Sequence, residues 1–120
     1  IPGLTLNGIF QFDEGYYYFR NLNDRILLGG ARNTSIATEY TQANISTLPI
    51  QQALEDFLTR IILPGQKPAI TDRWAGIMAM GPEKTPIVKQ LSERTYCAVR
   101  LGGMGVSLAP MMGKILTEMM

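Results

Sequence analysis

Arg100-Leu-Gly-Gly-Met-Gly-Val-Ser-Leu-Ala-Pro110 is the stretch on which the reading of the fold turns. An apolar, β-prone run, Tyr96-Cys-Ala-Val-Arg-Leu101, leads into it, and Val106, Leu108, Ala109, Met112, Ile115, Leu116 and Met119 recur at helical spacing after it. Strand, glycine turn and C-terminal helix to Met120 are therefore expected in that order. Gly102, Gly103 and Gly105 remove Cβ where another group comes close. A glycine turn at a helix start leaves backbone N–H groups without intrahelical acceptors, and the helix dipole adds positive potential there. No acidic residue lies in the first turn, and Glu118 sits at the far end. The same glycines serve equally well for close packing of strand on helix, so two uses stand open.

Composition narrows the classes. With 46% hydrophobic and 18% charged residues in 120, the chain can bury a core as one ordinary domain or a piece of a larger one. A net charge of +1 without a cationic run argues against a nucleic-acid surface or an anionic membrane. No apolar run is long enough to span a bilayer. Cys97 is the only cysteine, which excludes an intrachain disulfide and favours a reducing, cytoplasmic setting. Histidine is absent, which removes Ser-His and Cys-His catalysis and most zinc and iron sites, so no metal is expected. Ile1-Pro2-Gly3 has neither an initiator Met nor a signal-peptide layout and reads as an internal start.

Toward the N-terminus, Leu4 to Phe12, Tyr16 to Arg20 and Arg25 to Gly30 read as strands separated by Asp13-Glu14-Gly15 and Asn21 to Asp24, an antiparallel meander. Tyr17 and Tyr18 fall on opposite faces. Ala31 to Leu48 is polar and reads as a loop. Ser46 or Thr47 caps a helix with Pro49 in its first turn, and Ile50, Ala53, Leu54, Phe57, Leu58, Ile61 and Ile62 form its apolar stripe until Pro64-Gly65. Ala69 to Met80 reads as a strand with a bulge or close approach at Gly76, and Trp74 as core or a wall of a site. Gly81 to Pro86 is a turn, and Ile87-Val88 opens a short strand. The sum is an α+β chain of about six strands, antiparallel or mixed, with two helices.

Three segments resemble one family. They are Tyr16 to Gly30, Arg73-Trp-Ala-Gly-Ile-Met-Ala-Met-Gly-Pro-Glu-Lys-Thr-Pro-Ile-Val88, and Val99 to Pro110 with its Gly-x-Gly-x-x-x-Ala-Pro spacing. In register they look like the C-terminal part of the FAD-dependent oxidoreductases of the D-amino-acid oxidase, glycine oxidase and sarcosine oxidase class. The resemblance implies a two-domain flavoprotein, with residues 1–95 as substrate-domain strands and helix, and 96–120 as strand, glycine turn and flavin-facing helix. Gly102, Gly103, Met104, Gly105, Val106 and Ser107 become the expected FAD-binding residues, with their backbone N–H groups toward the pyrimidine edge of the ring. The activity implied is oxidation of an amine, amino acid or hydroxy acid by hydride transfer to flavin.

The likeness has two departures. The nucleotide-binding Gly-x-Gly-x-x-Gly fingerprint is absent, so a missing N-terminal dinucleotide-binding domain becomes the expected partner, and this chain alone is not expected to hold FAD tightly. Where amino-acid oxidases of the class carry an Arg that clamps the substrate carboxylate, this chain has Met78. The substrate-side candidates are Tyr17, Arg32, Met78 and Arg100, toward a small-molecule substrate, and the catalytic group is unknown. Two further readings fit the same residues: a non-enzymatic α+β interaction module, and a subunit completing a flavin site on another chain. An apolar sheet face left uncovered predicts self-association.

Overall fold

The computed structural model describes residues 6–120, which divide into two compact units at the junction between Ala75 and Gly76. The fold is α+β. Five strands form two separate antiparallel sheets, with three helices, among the described residues.

In the first unit, β1 (Ile9–Phe12), β2 (Tyr17–Leu22) and β3 (Arg25–Gly30) form the expected meander in the order β1-β2-β3. Leu4 and Thr5 lie outside the described residues, and the strand begins only at Ile9, after Gly8. The first turn is built from left-handed residues, Asp13, Glu14 and Gly15 at φ 53°, 53° and 87°. The second is tighter than expected, because Asn21 and Leu22 pair in the ladder and only Asn23-Asp24 turn. Register places Tyr17 opposite Gly30 and Tyr18 opposite Gly29. Strand alternation then sends Tyr17 and Phe19 to one face, where Phe10 stacks on Phe19 at 5.0 Å between ring centroids.

The polar stretch after β3 is more ordered than a plain loop. Ala31, fully buried, donates its N–H to the Tyr16 carbonyl at 2.7 Å. A 3-10 turn at Arg32–Thr34 and a single-turn helix α1 (Ile36–Glu39) follow, because Thr34 and Ser35 find local backbone acceptors. Helix α2 (Leu48–Phe57) starts at Thr47 with Pro49 in its first turn, as expected. The Thr47 hydroxyl does not cap it, however, but donates to Glu39 Oε1 at 2.7 Å. Phe57 ends α2 inside an aromatic cluster, stacked on Tyr17 at 4.5 Å and tilted against Phe12 at 5.0 Å.

A π-helical turn, Leu58–Ile62, continues α2 and closes with Leu63 N–H donating to the Leu58 carbonyl. A π turn inserts an extra residue per turn, so the apolar stripe slips by about one position. Ile61, expected in the core, is 55% exposed, and Leu63 is buried in its stead at 6%.

Ala69 to Met80 carries no strand, which corrects the sequence reading. β-branched and aromatic residues make a strand only where a neighbour supplies ladder hydrogen bonds, and this run has none among the described residues. Its first half is tied down by side chains: Arg73 to Glu55 of α2 at 2.6 Å, and Arg25 of β3 to Asp72 at 3.4 Å. Trp74 is 65% exposed rather than core, and no atom crowds Gly76.

In the second unit, β4 (Ile87–Ser92) and β5 (Thr95–Val99) make a hairpin turned by Glu93-Arg94, irregular between Gln90 and Ser92. β4 is longer than Ile87-Val88 because Lys89 and Gln90 pair with Cys97 and Tyr96 despite their polarity. β5 stops at Val99, since Arg100 turns left-handed at φ 60°. Helix α3 (Gly105–Glu118) lies against β4 and β5 with Met112 buried and Pro110 within it.

Candidate functional site

The joint between β5 and α3 is where local sequence and geometry converge. Three of the four residues from Arg100 to Gly103 are left-handed, at φ 60° for Arg100, 56° for Gly102 and 82° for Gly103. Glycine takes this conformation without penalty, whereas an L residue does so against its Cβ. Met104 N–H closes the turn on the Leu101 carbonyl at 2.8 Å. The first intrahelical bond of α3 runs from Leu108 N–H to the Met104 carbonyl, which also accepts from the Ser107 hydroxyl.

Among the described residues, the N–H groups of Gly105, Val106 and Ser107 therefore have no acceptor, nor does that of Gly103. No side chain caps them, no acidic residue occupies the first turn, and Val106 is 97% exposed. Three unpaired donors at the positive end of a 14-residue helix favour a negatively charged or electron-rich group. Of the six residues expected at this turn, Met104 alone has its N–H consumed internally.

Met78 and Met80 border this turn. A Cβ on Gly103 would stand 3.1 Å from Met78 Sδ, and one on Gly102 would stand 3.9 Å from Met80 Sδ. The substrate-side candidate Met78 is thus brought to the glycine turn. Arg100 is brought there too, but its guanidinium is engaged. Nε donates to the Thr85 carbonyl at 2.8 Å, and Nη2 lies 3.4 Å from both Thr85 Oγ1 and Glu83 Oε2. Gly81 lets the side chain pass, since a Cβ there would meet Arg100 Cδ at 2.8 Å. Sequence spacing carried no signal for Gly81, Glu83 or Thr85 in this role.

Tyr17 and Arg32 belong to the first unit. Tyr17 is held by Phe57, and Arg32 opens the 3-10 turn without a carboxylate partner among the described residues. That unit also contains a cavity of about 630 Å³, floored by Ile26, Leu28, Leu54 and Leu58 and bordered by Trp74. Neither Tyr17 nor Arg32 lines it. Among the described residues, no group of His, Cys, Asp or Glu is arranged to hold a metal, and no helix is long and apolar enough to cross a membrane.

The family model of the FAD dependent oxidoreductases (DAO) matches residues 2–119. The chain belongs to that family, whose chemistry depends on FAD. Neither the curated proteins nor the solved structures return a match to it.

Proposed function

We propose that the protein oxidises an amine, amino acid or hydroxy acid by hydride transfer to FAD. In this reading the chain is the C-terminal part of a two-domain flavoprotein, with a dinucleotide-binding domain as its partner. Residues 1–95 contribute substrate-domain strands and helix, and 96–120 contribute the strand, the glycine turn and the flavin-facing helix. FAD, when bound, supplies the two-electron acceptor for a C–H bond beside nitrogen or oxygen.

The observation that carries the reading is the set of unpaired N–H groups on Gly105, Val106 and Ser107, behind left-handed Gly102 and Gly103. Such donors hold negative charge at a fixed place without reorganising, which favours the reduced form of a ring whose pyrimidine edge they face. Met78 and Met80 flank the turn with uncharged thioethers, which suits a donor whose nearby end is neutral. Tyr17, Arg32 and Met78 are the proposed substrate-side residues, and Arg100 reaches the site through the backbone it holds. A cytoplasmic setting accords with the single, half-buried Cys97.

The test is the visible spectrum of the protein expressed from its complete reading frame. Flavin bands that bleach anaerobically with amines or hydroxy acids are expected. A protein that neither carries nor takes up flavin would sink this reading and leave the glycine turn as packing in an interaction module.

A further inference from the structure

We infer that Arg100 is a positioning residue: its side chain, anchored on Thr85 and Glu83 across Gly81, fixes the left-handed backbone that aims the free N–H groups of α3. The inference rests on the proposed flavin-facing role for what those donors meet, but the anchoring itself stands on the geometry.

Arg100 has an unfavourable backbone. A left-handed φ of 60° brings the Cβ of an L residue against its own peptide, and such a conformation persists only where surrounding structure over-determines it. The surroundings here do so. The Arg100 side chain is only 17% exposed, Nε and Nη2 are both engaged, and the stem passes through the space left by the missing Cβ of Gly81. The Nε bond to the Thr85 carbonyl is the shortest of these and is charge-assisted.

The anchor also sits where it has leverage. Thr85 lies two residues before Ile87, and Ile87 pairs with Val99, the last residue of β5. The Arg100–Thr85 bond therefore prolongs the β4–β5 pairing by one side-chain link past the end of the ladder. The next residues, Leu101 to Met104, close the turn, and the helix starts immediately after. Releasing Arg100 frees the first of the three left-handed residues. The direction of the Gly105, Val106 and Ser107 N–H groups is then no longer set.

Arg100→Gly separates the side chain from the backbone. Glycine accepts the left-handed conformation without steric cost, so this variant keeps the turn permissible while deleting the anchor and leaving a freer backbone. Gly81→Ala does the converse: Arg100 keeps its charge, but a Cβ within 2.8 Å of Cδ and 2.9 Å of Nη1 displaces it. The experiment compares these two variants and Arg100→Lys with the unaltered protein, all expressed from the complete reading frame. The readouts are amide hydrogen exchange at Met104 and Leu108 and the flavin midpoint potential.

Arg100→Gly and Gly81→Ala are expected to speed exchange at both amides about tenfold, the scale of one lost charge-assisted bond. They should also lower the potential, because the reduced ring loses its aimed donors. Arg100→Lys, with one compact donor in place of a fork, should fall between. Unchanged exchange in Arg100→Gly would overturn the inference whatever the flavin does. Faster exchange with an unchanged potential would also overturn it, reducing Arg100 to a local staple. A parent protein without flavin, in which exchange still responds to both variants, would uphold the anchoring while sinking the oxidoreductase reading.

Discussion

Met78 Sδ lies 3.1 Å from the point at which a Cβ on Gly103 would stand, so the thioether of one segment closes over the bare backbone of the other. Gly103 carries two separable demands: a left-handed φ of 82° and the absence of a side chain. Gly103→Ala is therefore expected to cost about 1–2 kcal/mol from the backbone alone. A further few tenths should come from pushing Met78 aside. Thermal unfolding of the single variant and of Gly103→Ala with Met78→Ala separates the two. The double variant should recover the steric part and not the backbone part. Full recovery would mean that φ is no constraint here.

Phe57 holds the first unit together by a different means. Its ring touches Tyr17, Phe12 and Phe19 from one position at the end of α2, so its loss empties the space between helix and sheet. Phe57→Ala is expected to destabilise by about 3–5 kcal/mol, read as a shift in the urea midpoint at constant slope. The Tyr17 hydroxyl makes no hydrogen bond among the described residues, so Tyr17→Phe should leave the midpoint within about 0.5 kcal/mol. A large loss in Tyr17→Phe would mean that the hydroxyl, and not only the ring, is structural.

What could be read from the sequence was what local chemistry determines. The β2–β3 hairpin follows from an aromatic run, the turn signal at Asn21 to Asp24 and the glycines at 29 and 30, although the turn itself narrows to Asn23-Asp24 because Asn21 and Leu22 join the ladder. Helix α2 and helix α3 follow from an apolar stripe at the period of a helix. The failures share a physical cause as well. Ala69 to Met80 has strand-like composition, but a strand needs a partner ladder, and composition does not name one. Ile61 leaves the core because a stripe continued at 3.6 residues per turn runs into a segment that the π turn unwinds. At the site, the glycine turn was legible as bare backbone beside a helix start. Arg100 was legible there only as a substrate-side candidate and not as an anchor, because that role lies in Thr85, fifteen residues away, and in a gap at Gly81 that only the folded hairpin creates.

The Arg73–Glu55 pair is short, at 2.6 Å, yet both side chains are more than two-fifths exposed. Water competes for each charge, and two long side chains must be held still, so the pair should contribute little. Glu55→Gln is expected to cost less than about 1 kcal/mol at low salt. The difference from the unaltered protein should shrink toward zero in about 1 M salt, where screening acts within roughly 3 Å. A larger cost that survives high salt would show that Glu55 also supports the wall of the neighbouring cavity through packing.

Gly29 and Gly30 end the same strand, but they should respond very differently to a methyl group. At Gly30, with φ 109°, an added Cβ would drive into the Tyr16 carbonyl oxygen, which already accepts the N–H of buried Ala31. Neither group can move without opening the β2–β3 pairing, so Gly30→Ala is expected to cost at least about 3 kcal/mol. At Gly29 the added Cβ meets only the far end of the Tyr18 ring, and Tyr18 is an exposed side chain that can rotate away. Gly29→Ala should therefore cost about 1 kcal/mol or less, partly offset by the reduced freedom of the unfolded chain. Parallel urea titrations of the two variants decide the matter. Equal stability would mean that the strand end is loose, and that the Ala31–Tyr16 hydrogen bond does not fix how the chain leaves the sheet.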